Sequence, residues 1–334
     1  MKPKPAIAVI GSNSISGAFF VRHCLLAGHR VIGLSRSAEL APCFLPYRWL
    51  DAEMLQNFRF IQANLNQDLD AIMAAVREEE SPYVVNFAAQ SMVAESWAHP
   101  GHWYQTNVVA NVRLHDEMRK LPFLKKYVHI STPEVYGSCT GNVTESQPFN
   151  PSTPYAASRA ACDLHLHTFF KQYGFPVVFT RAANVYGPGQ QLYRIIPRTI
   201  MAVLTGEKLQ LHGGGHSVRS FIHLDDVADA TMRAMLDGKP GEVYHISTDR
   251  FVSIRELVEM ICARMGKSFA DIVEVVGDRP GKDAAYLLDS AKCRTELGWS
   301  DTVSLEDGID GVIDWARRLE AELRQQPMNY IHKP

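Results

Sequence analysis

The chain has 334 residues, 46% hydrophobic and 21% charged, which gives room for a large core or two domains and excludes a disordered or fibrous protein. Lys and Arg number 34 against 36 Asp and Glu, a formal net charge of −2 that argues against nucleic acid as the main partner. No apolar run reaches the ~18 residues of a membrane span; the start resembles no signal peptide, and six cysteines lack CxxC spacing, so a cytoplasmic protein with reduced thiols and no membrane contact is expected.

In chain order, residues 6–10, 30–34, 58–63, 83–87, 127–131 and 177–181 are β-branched runs that read as buried strands. Amphipathic stretches at about 15–27, 68–79, 102–120 and 154–173 separate most of them. Continuous apolar strands alternating with helices predict an α/β fold of Rossmann type, a doubly wound parallel sheet covered on both faces. After Arg181 the alternation breaks down around Tyr186-Gly-Pro-Gly189, His212-Gly-Gly-Gly215 and Arg279-Pro-Gly281. Residues 242–246 read as a further strand and 304–323 as a closing surface helix. The expected organisation is a dinucleotide-binding domain over 1–182 and a smaller, mainly substrate-binding α/β domain over 183–330, some segments of which return to the main sheet.

The first strand runs into Gly11-Ser-Asn-Ser-Ile-Ser-Gly17 and then a helical pattern. A Gly-rich turn there lets backbone approach a pyrophosphate and aims helix N–H groups at it; a tight turn alone is the bland alternative. At the end of the second strand, where NAD-binding folds place an acidic residue on the ribose 2′-OH, stands Leu34-Ser35-Arg36-Ser37. An arginine there suits a 2′-phosphate through paired N–H donors, so NADP is expected ahead of NAD. If Arg36 is instead a solvated loop charge, the cofactor is NAD.

Asn86-Phe-Ala-Ala-Gln90, Ser131-Thr-Pro-Glu-Val-Tyr-Gly137 and Ser152-Thr-Pro-Tyr155-Ala-Ala-Ser-Arg159 fall at the ends of the fourth and fifth strands and on the next helix. Together with Arg181-Ala-Ala-Asn-Val-Tyr-Gly-Pro-Gly189, Arg219-Ser-Phe-Ile-His-Leu-Asp-Asp226 and Asp278-Arg-Pro-Gly281, they resemble the nucleotide-sugar branch of the extended short-chain dehydrogenase/reductases. Within it the chain is most similar to the GDP-mannose and dTDP-glucose 4,6-dehydratases, over about residues 5 to 320.

The resemblance implies a nicotinamide cofactor on Gly11, Ser14, Ile15 and Gly17, then Ser35 and Arg36. Asn64, Leu65, Ala88 and Gln90 follow at the next strand ends, with Tyr155 and residue 159 at the nicotinamide. Ser14 replaces the middle glycine of the family's turn, and Asn64 stands where an Asp is usual. A tyrosine near a fixed cation can take a sugar hydroxyl proton as hydride leaves, and Tyr155 lies one helical turn from residue 159. The family has Lys there; this chain has Arg159, still cationic but broader. Thr132 would orient the C4 oxygen, and Glu134 would remove the C5 proton of a 4-keto sugar, unless it merely caps its loop. The dTDP-glucose enzymes carry an acid before that Glu; here Pro133 offers none, which leaves Glu134 as the simplest proton relay.

Asn184, Arg219 and Arg279 occupy positions that in the family contact the substrate's phosphates or nucleoside. His212 and His216 flank three glycines that forbid a helix, so no metal is expected. The implied ligand is a nucleotide-diphosphate sugar, and relatives dimerise through the helices at 102–120 and 154–173, so a homodimer is expected. The expected reaction is 4,6-dehydration to a 4-keto-6-deoxy sugar nucleotide. Alternatives are a 5,6-dehydratase, an epimerase, a uronic acid decarboxylase, or a nucleotide-binding protein with impaired chemistry.

Overall fold

A computed structural model describes residues 4–139, 141–277 and 287–333. Seven strands make the central sheet: β1 (Ile7–Ile10), β2 (Val31–Ser35), β3 (Phe58–Gln62), β4 (Tyr83–Asn86), β5 (Lys126–Ile130), β6 (Val177–Ala182) and β7 (Val243–Ile246). They lie in the order β3-β2-β1-β4-β5-β6-β7, and every neighbouring pair is parallel. This is the doubly wound arrangement that the alternating pattern predicts. The chain winds outward from β1 in one direction and restarts at β4 in the other, so a crevice opens between the carboxyl ends of β1 and β4.

Strand β1 explains why the apolar run is continuous. Ala8 and Ile10 face a core that includes Ile72, Val76, Leu114 and Leu166 from the Leu69–Glu78, Asn111–Met118 and Pro154–Tyr173 helices. Ile7 and Val9 face the opposite core, built from Phe20, Val21, Met232 and Met235 of the Ile15–Leu26 and Leu224–Asp237 helices. Both faces are covered, so alternation is lost.

The long helix expected at 102–120 is interrupted. Pro100–Tyr104 and Asn111–Met118 are α-helical, and a π-helical turn joins them over Gln105–Ala110. The Asn111 side chain donates to the Thr106 carbonyl at 2.9 Å across this turn, the kind of competing bond that widens a helix. Beyond β6, the Asn184–Tyr186, Val218–His223 and Phe251–Ser253 strands form a small sheet, and a third core gathers Tyr186, Ile200, Phe221, Ile261, Ile309 and Trp315. The closing helix is Leu305–Arg318, and it is more than a surface element, because Ile309, Val312 and Trp315 are fully buried in that core. After a short Glu320–Leu323 turn of helix, the chain runs back to the carboxyl edge of the central sheet. No helix among the described residues is long and apolar enough to cross a membrane.

Candidate active site

A single cleft of about 1040 Å³ follows the carboxyl ends of the central strands. At its β1 end, Gly11 has φ +86°, and an added Cβ would sit 2.6 Å from the Ala88 nitrogen, so only glycine lets β1 and β4 approach this closely. A Cβ on Gly17 would meet the Gly11 carbonyl at 2.3 Å. Ser14, in place of the family's middle glycine, is the N-cap of the Ile15–Leu26 helix: its hydroxyl accepts from Gly17 N at 3.1 Å and donates to the Gly11 carbonyl at 2.7 Å. Ile15 and Ser16, in the first turn, also line the cleft. A glycine cradle that any side chain would fill, opening onto a helix N-terminus, fits a dinucleotide pyrophosphate.

Ser35, Arg36, Asn64, Leu65, Ala88 and Gln90 line the same end. Asparagines hold these loops, and the motifs that contain Asn13 and Asn86 gave them no role of their own. Asn13 donates to the Ser37 and Ala38 carbonyls, both at 3.0 Å, while its backbone N–H donates to the Ser35 hydroxyl at 2.9 Å. The Asn86 carbonyl oxygen accepts from Ala88 N at 2.9 Å. Asn107 clamps Gln90 from both sides, accepting from its N–H at 2.8 Å and donating to its carbonyl at 3.0 Å. Buried asparagines one loop away from a Gly-rich turn are the signal that was available.

At the other end, Thr132, Glu134, Tyr155, Arg159 and Asn184 share the cleft wall. Thr153 and Pro154 open the Pro154–Tyr173 helix, Thr153 accepting from Ala156 N at 3.1 Å, and this places Tyr155 and Arg159 on its inner face. Thr132 caps the turn Pro133–Tyr136 and accepts from Glu134 N at 3.3 Å, which brings the carboxyl beside the phenol. Burial pushes the Tyr155 phenol up to about 12 and the Glu134 charge adds to the rise, against the opposing charge of Arg159 and a hydrogen bond from Thr132. The guanidinium of Arg159 is anchored below: one arm donates to the Ile130 carbonyl and lies 3.3 Å from His129 Nε2.

Beneath them runs a buried polar chain. Asp163 accepts from Ser131 at 2.6 Å and from Arg181 at 2.8 Å, and Arg181 also donates to the Tyr136 hydroxyl. Burial disfavours the Asp163 charge, yet Arg181 and His129 hold its carboxyl well below the usual range. Tyr136 then donates to His245 Nε2 at 2.7 Å.

One substrate expectation falls outside the cleft lining. Arg219 is not among the residues lining the cleft, and its guanidinium donates to the Val218 carbonyl at 2.8 Å. Arg279 lies outside the described residues. Arg194 and Tyr193 do line the cleft, and the Arg194 charge acts on Tyr155. Among the described residues, one ligand-type trio is close enough to share an ion, His115, His129 and Cys162, and it lies buried in the core, where burial raises the Cys162 thiol to about 12 and lowers both imidazoles.

A Gly-turn cleft at the switch point of a doubly wound sheet, facing a helix-borne Tyr and cation, defines an extended short-chain dehydrogenase/reductase. Residues 9–312 match the family described as GDP-mannose 4,6 dehydratase, and the chain is an enzyme of that family. It is 36% identical over 264 residues to a dTDP-glucose 4,6-dehydratase of Xanthomonas campestris pv. campestris, covering 73% of this chain and 75% of the relative. Among solved structures, DesIV, a dTDP-glucose 4,6-dehydratase from Streptomyces venezuelae solved with NAD, superposes with a TM-score of 0.87 at 32% identity, covering 95% of this chain and 98% of the other. A Thermotoga maritima UDP-glucose 4-epimerase solved with UDP-glucose reaches 0.84 at 26% identity, covering 94% and 99%.

Proposed function

We propose that the protein is a nucleotide-diphosphate-sugar 4,6-dehydratase that forms a 4-keto-6-deoxy sugar nucleotide. The observation that carries this reading is the carboxyl of Glu134 set against Tyr155 through Thr132. Epimerisation at C4 needs no such carboxylate, whereas elimination across C5–C6 needs a base for the C5 proton.

A nicotinamide dinucleotide would be held by Gly11, Ser14, Ile15, Ser35, Arg36 and Gln90, all but Gly11 and Ile15 offering polar side chains, and it supplies the acceptor and later the donor of one hydride. The Tyr155 oxygen takes the C4 hydroxyl proton, with Thr132 orienting that hydroxyl and Arg159 favouring the phenolate. The positive charge of Arg159 opposes the rise that burial and Glu134 impose on the Tyr155 phenol. Glu134 removes the C5 proton made acidic by the C4 ketone. With Pro133 beside it, the same carboxyl returns a proton to the departing C6 oxygen and water leaves; a hydride restored at C6 and a proton restored at C5, equivalent to the one Tyr155 took, would complete the product with no net oxidant consumed. Asn184 would contact the substrate at the far wall, and Arg219 and Arg279 are assigned to its nucleotide end by family resemblance alone.

Arg36 supports NADP over NAD, and the relative turnover with each settles that choice. For assembly, we infer a homodimer through the helical segments around 100–118 and 154–173, where Tyr104 and Leu164 remain 42% and 57% exposed; sedimentation measures it.

The test is a panel of GDP-, UDP-, dTDP- and CDP-sugars scored by product mass. Loss of water with a new 4-ketone is expected. Unchanged mass points to epimerisation, and loss of carbon dioxide to decarboxylation. Tyr155→Phe should lower turnover by about 10²–10⁴ while dinucleotide binding persists.

A further inference from the structure

The segment that follows the Glu320–Leu323 helix does not trail into solvent. Arg198 donates to the Met328 carbonyl at 3.5 Å and to Asn329 Oδ1 at 3.4 Å, which turns the chain toward the cleft. Tyr330 meets Tyr193 edge-on, ring centroids 5.5 Å apart. The His332 ring lies near-parallel to those of His99, His102 and Trp103, with centroids 5.0, 5.2 and 5.3 Å away, and His332 Nε2 is 2.9 Å from His102 Nδ1. One residue on, the Lys333 carbonyl accepts from Gln90 at 2.7 Å and from Arg36 at 3.1 Å.

Those two donors stand on opposite walls of the crevice. Arg36 follows β2 and Gln90 follows β4, with the Gly11 turn of β1 between them. A single carbonyl thus ties the walls together across the place where the dinucleotide's adenosine end is expected. We propose that residues 330–333 are a strap that closes the adenosine end of the dinucleotide cleft and retains the cofactor from one turnover to the next. The inference rests on the dinucleotide reading of that cleft.

The chemistry favours such a device. A reaction that returns its hydride leaves the cofactor as it began, so release is no part of the cycle and a chain segment can cover the exit. The strap is also light enough to lift. Lys333 is exposed, Ile331 is 64% exposed, and the attachment is the two bonds to the Lys333 carbonyl, a 3.4 Å bond from Lys333 Nζ to the Ser37 hydroxyl, the His332–His102 bond and a set of ring contacts rather than a packed core. Its rings add a pH response. His332 faces His99, His102, Trp103 and Tyr330, with Arg36 and Glu95 nearby. Partial burial, His99, His102 and Arg36 hold its imidazole below the ordinary value against the pull of Glu95. The attached strap therefore prefers neutral His332; its hold is complete above about 6.5 and weakens as pH falls below that.

The experiment is a stopped-flow chase of bound NADH and NADPH, read by their fluorescence, from the wild type, from His332→Ala and from a chain ending at Asn329. Thermal melts check that all three fold. Release should quicken by about tenfold to a hundredfold in the shortened chain, the factor that two net hydrogen bonds supply, and by less in His332→Ala. In the wild type it should also quicken as pH falls from about 7 toward 5, and His332→Phe, which keeps a ring but cannot titrate, should flatten that response. Equal release from all three proteins overturns the strap alone. Tighter binding by the shortened chain also overturns it, since the segment would then be a plug. If no form binds a dinucleotide, the reading of the cleft fails, and the strap with it.

Discussion

The two ends of the cleft are built differently. At the cofactor end the residues are held within a loop or by the loop next to it: Ser14 bonds to Gly11 and Gly17, Asn86 to Ala88, and Asn13 reaches from the Gly11 turn to Ser37 and Ala38 in the adjacent loop. At the chemistry end Thr132, Glu134, Tyr155 and Arg159 come from two separate elements, and what fixes them is the buried chain from Arg159 and His129 through Asp163 and Arg181 to Tyr136 and His245. Local bonds make a site that tolerates the loss of one member. A buried charged chain makes one that does not, because each member is the counter-charge or donor of the next.

The largest effect is expected at the chemistry end, from Glu134→Gln. Removing its charge takes away a contribution that raises the Tyr155 phenol, so C4 oxidation should persist while elimination falls by about 10²–10⁴. Reduced nicotinamide should then accumulate, visible by absorbance. If oxidation and elimination fall together, Glu134 does not act separately from Tyr155. Asp163→Asn comes next. It leaves the fully buried Arg181 without its carboxylate partner and should lower stability by about 3–5 kcal/mol, measured by urea denaturation.

The same chain sets the acid response. Burial, with the Arg181 charge, lowers the His245 imidazole to about 3. An unfolded histidine titrates near 6.5. Between those values the unfolded chain binds the extra proton, so stability is full above about 6.5 and is lost as pH falls toward 3, at up to about 1.4 kcal/mol per pH unit for this group. His245→Gln should make the melting temperature less dependent on pH across that window, whatever it does to the melting temperature at neutrality.

The difference between the ends also decides what could be read from the sequence. Six of the central strands were legible because a strand buried on both faces is a continuous apolar run; β3 was also read as a buried strand, but at the sheet edge its residues are half-buried or exposed. The Gly11 turn was legible because the requirement lies in one residue's φ and the space beside it. Tyr155 and Arg159 were legible because one helix fixes their spacing. The π-helical turn at 105–110 was not, since it follows from where Asn107 and Asn111 find partners in other segments, Gln90 and Asn86. Nor was the return of residues 326–333 to the cleft, whose contacts lie between 130 and 297 positions away in the chain. Arg219 carries a role by family resemblance alone; it lies in the Val218–His223 strand, where its guanidinium donates to the Val218 carbonyl.

The smallest expected effect tests whether the cofactor end is as local as its bonds suggest. Asn13→Ala removes the two donors that hold the Ser37 and Ala38 carbonyls, a net loss of about 1–2 kcal/mol because the loop is only partly buried and water can replace them. The loop those bonds shape carries Arg36, so its consequence should be one of discrimination rather than rate: the ratio of kcat/KM for NADP over NAD should drop, with kcat on the preferred cofactor little changed. The Gly11 cradle, the Ser14 cap and the Asn86 bond share no hydrogen-bond partner with the Asn13 side-chain amide, so pyrophosphate binding survives. A fall in kcat as large as that expected for Tyr155→Phe would mean that the Ser35–Ala38 loop is coupled to Tyr155 across the cleft. The two ends would then be one cooperative unit rather than a local site joined to a buried chain.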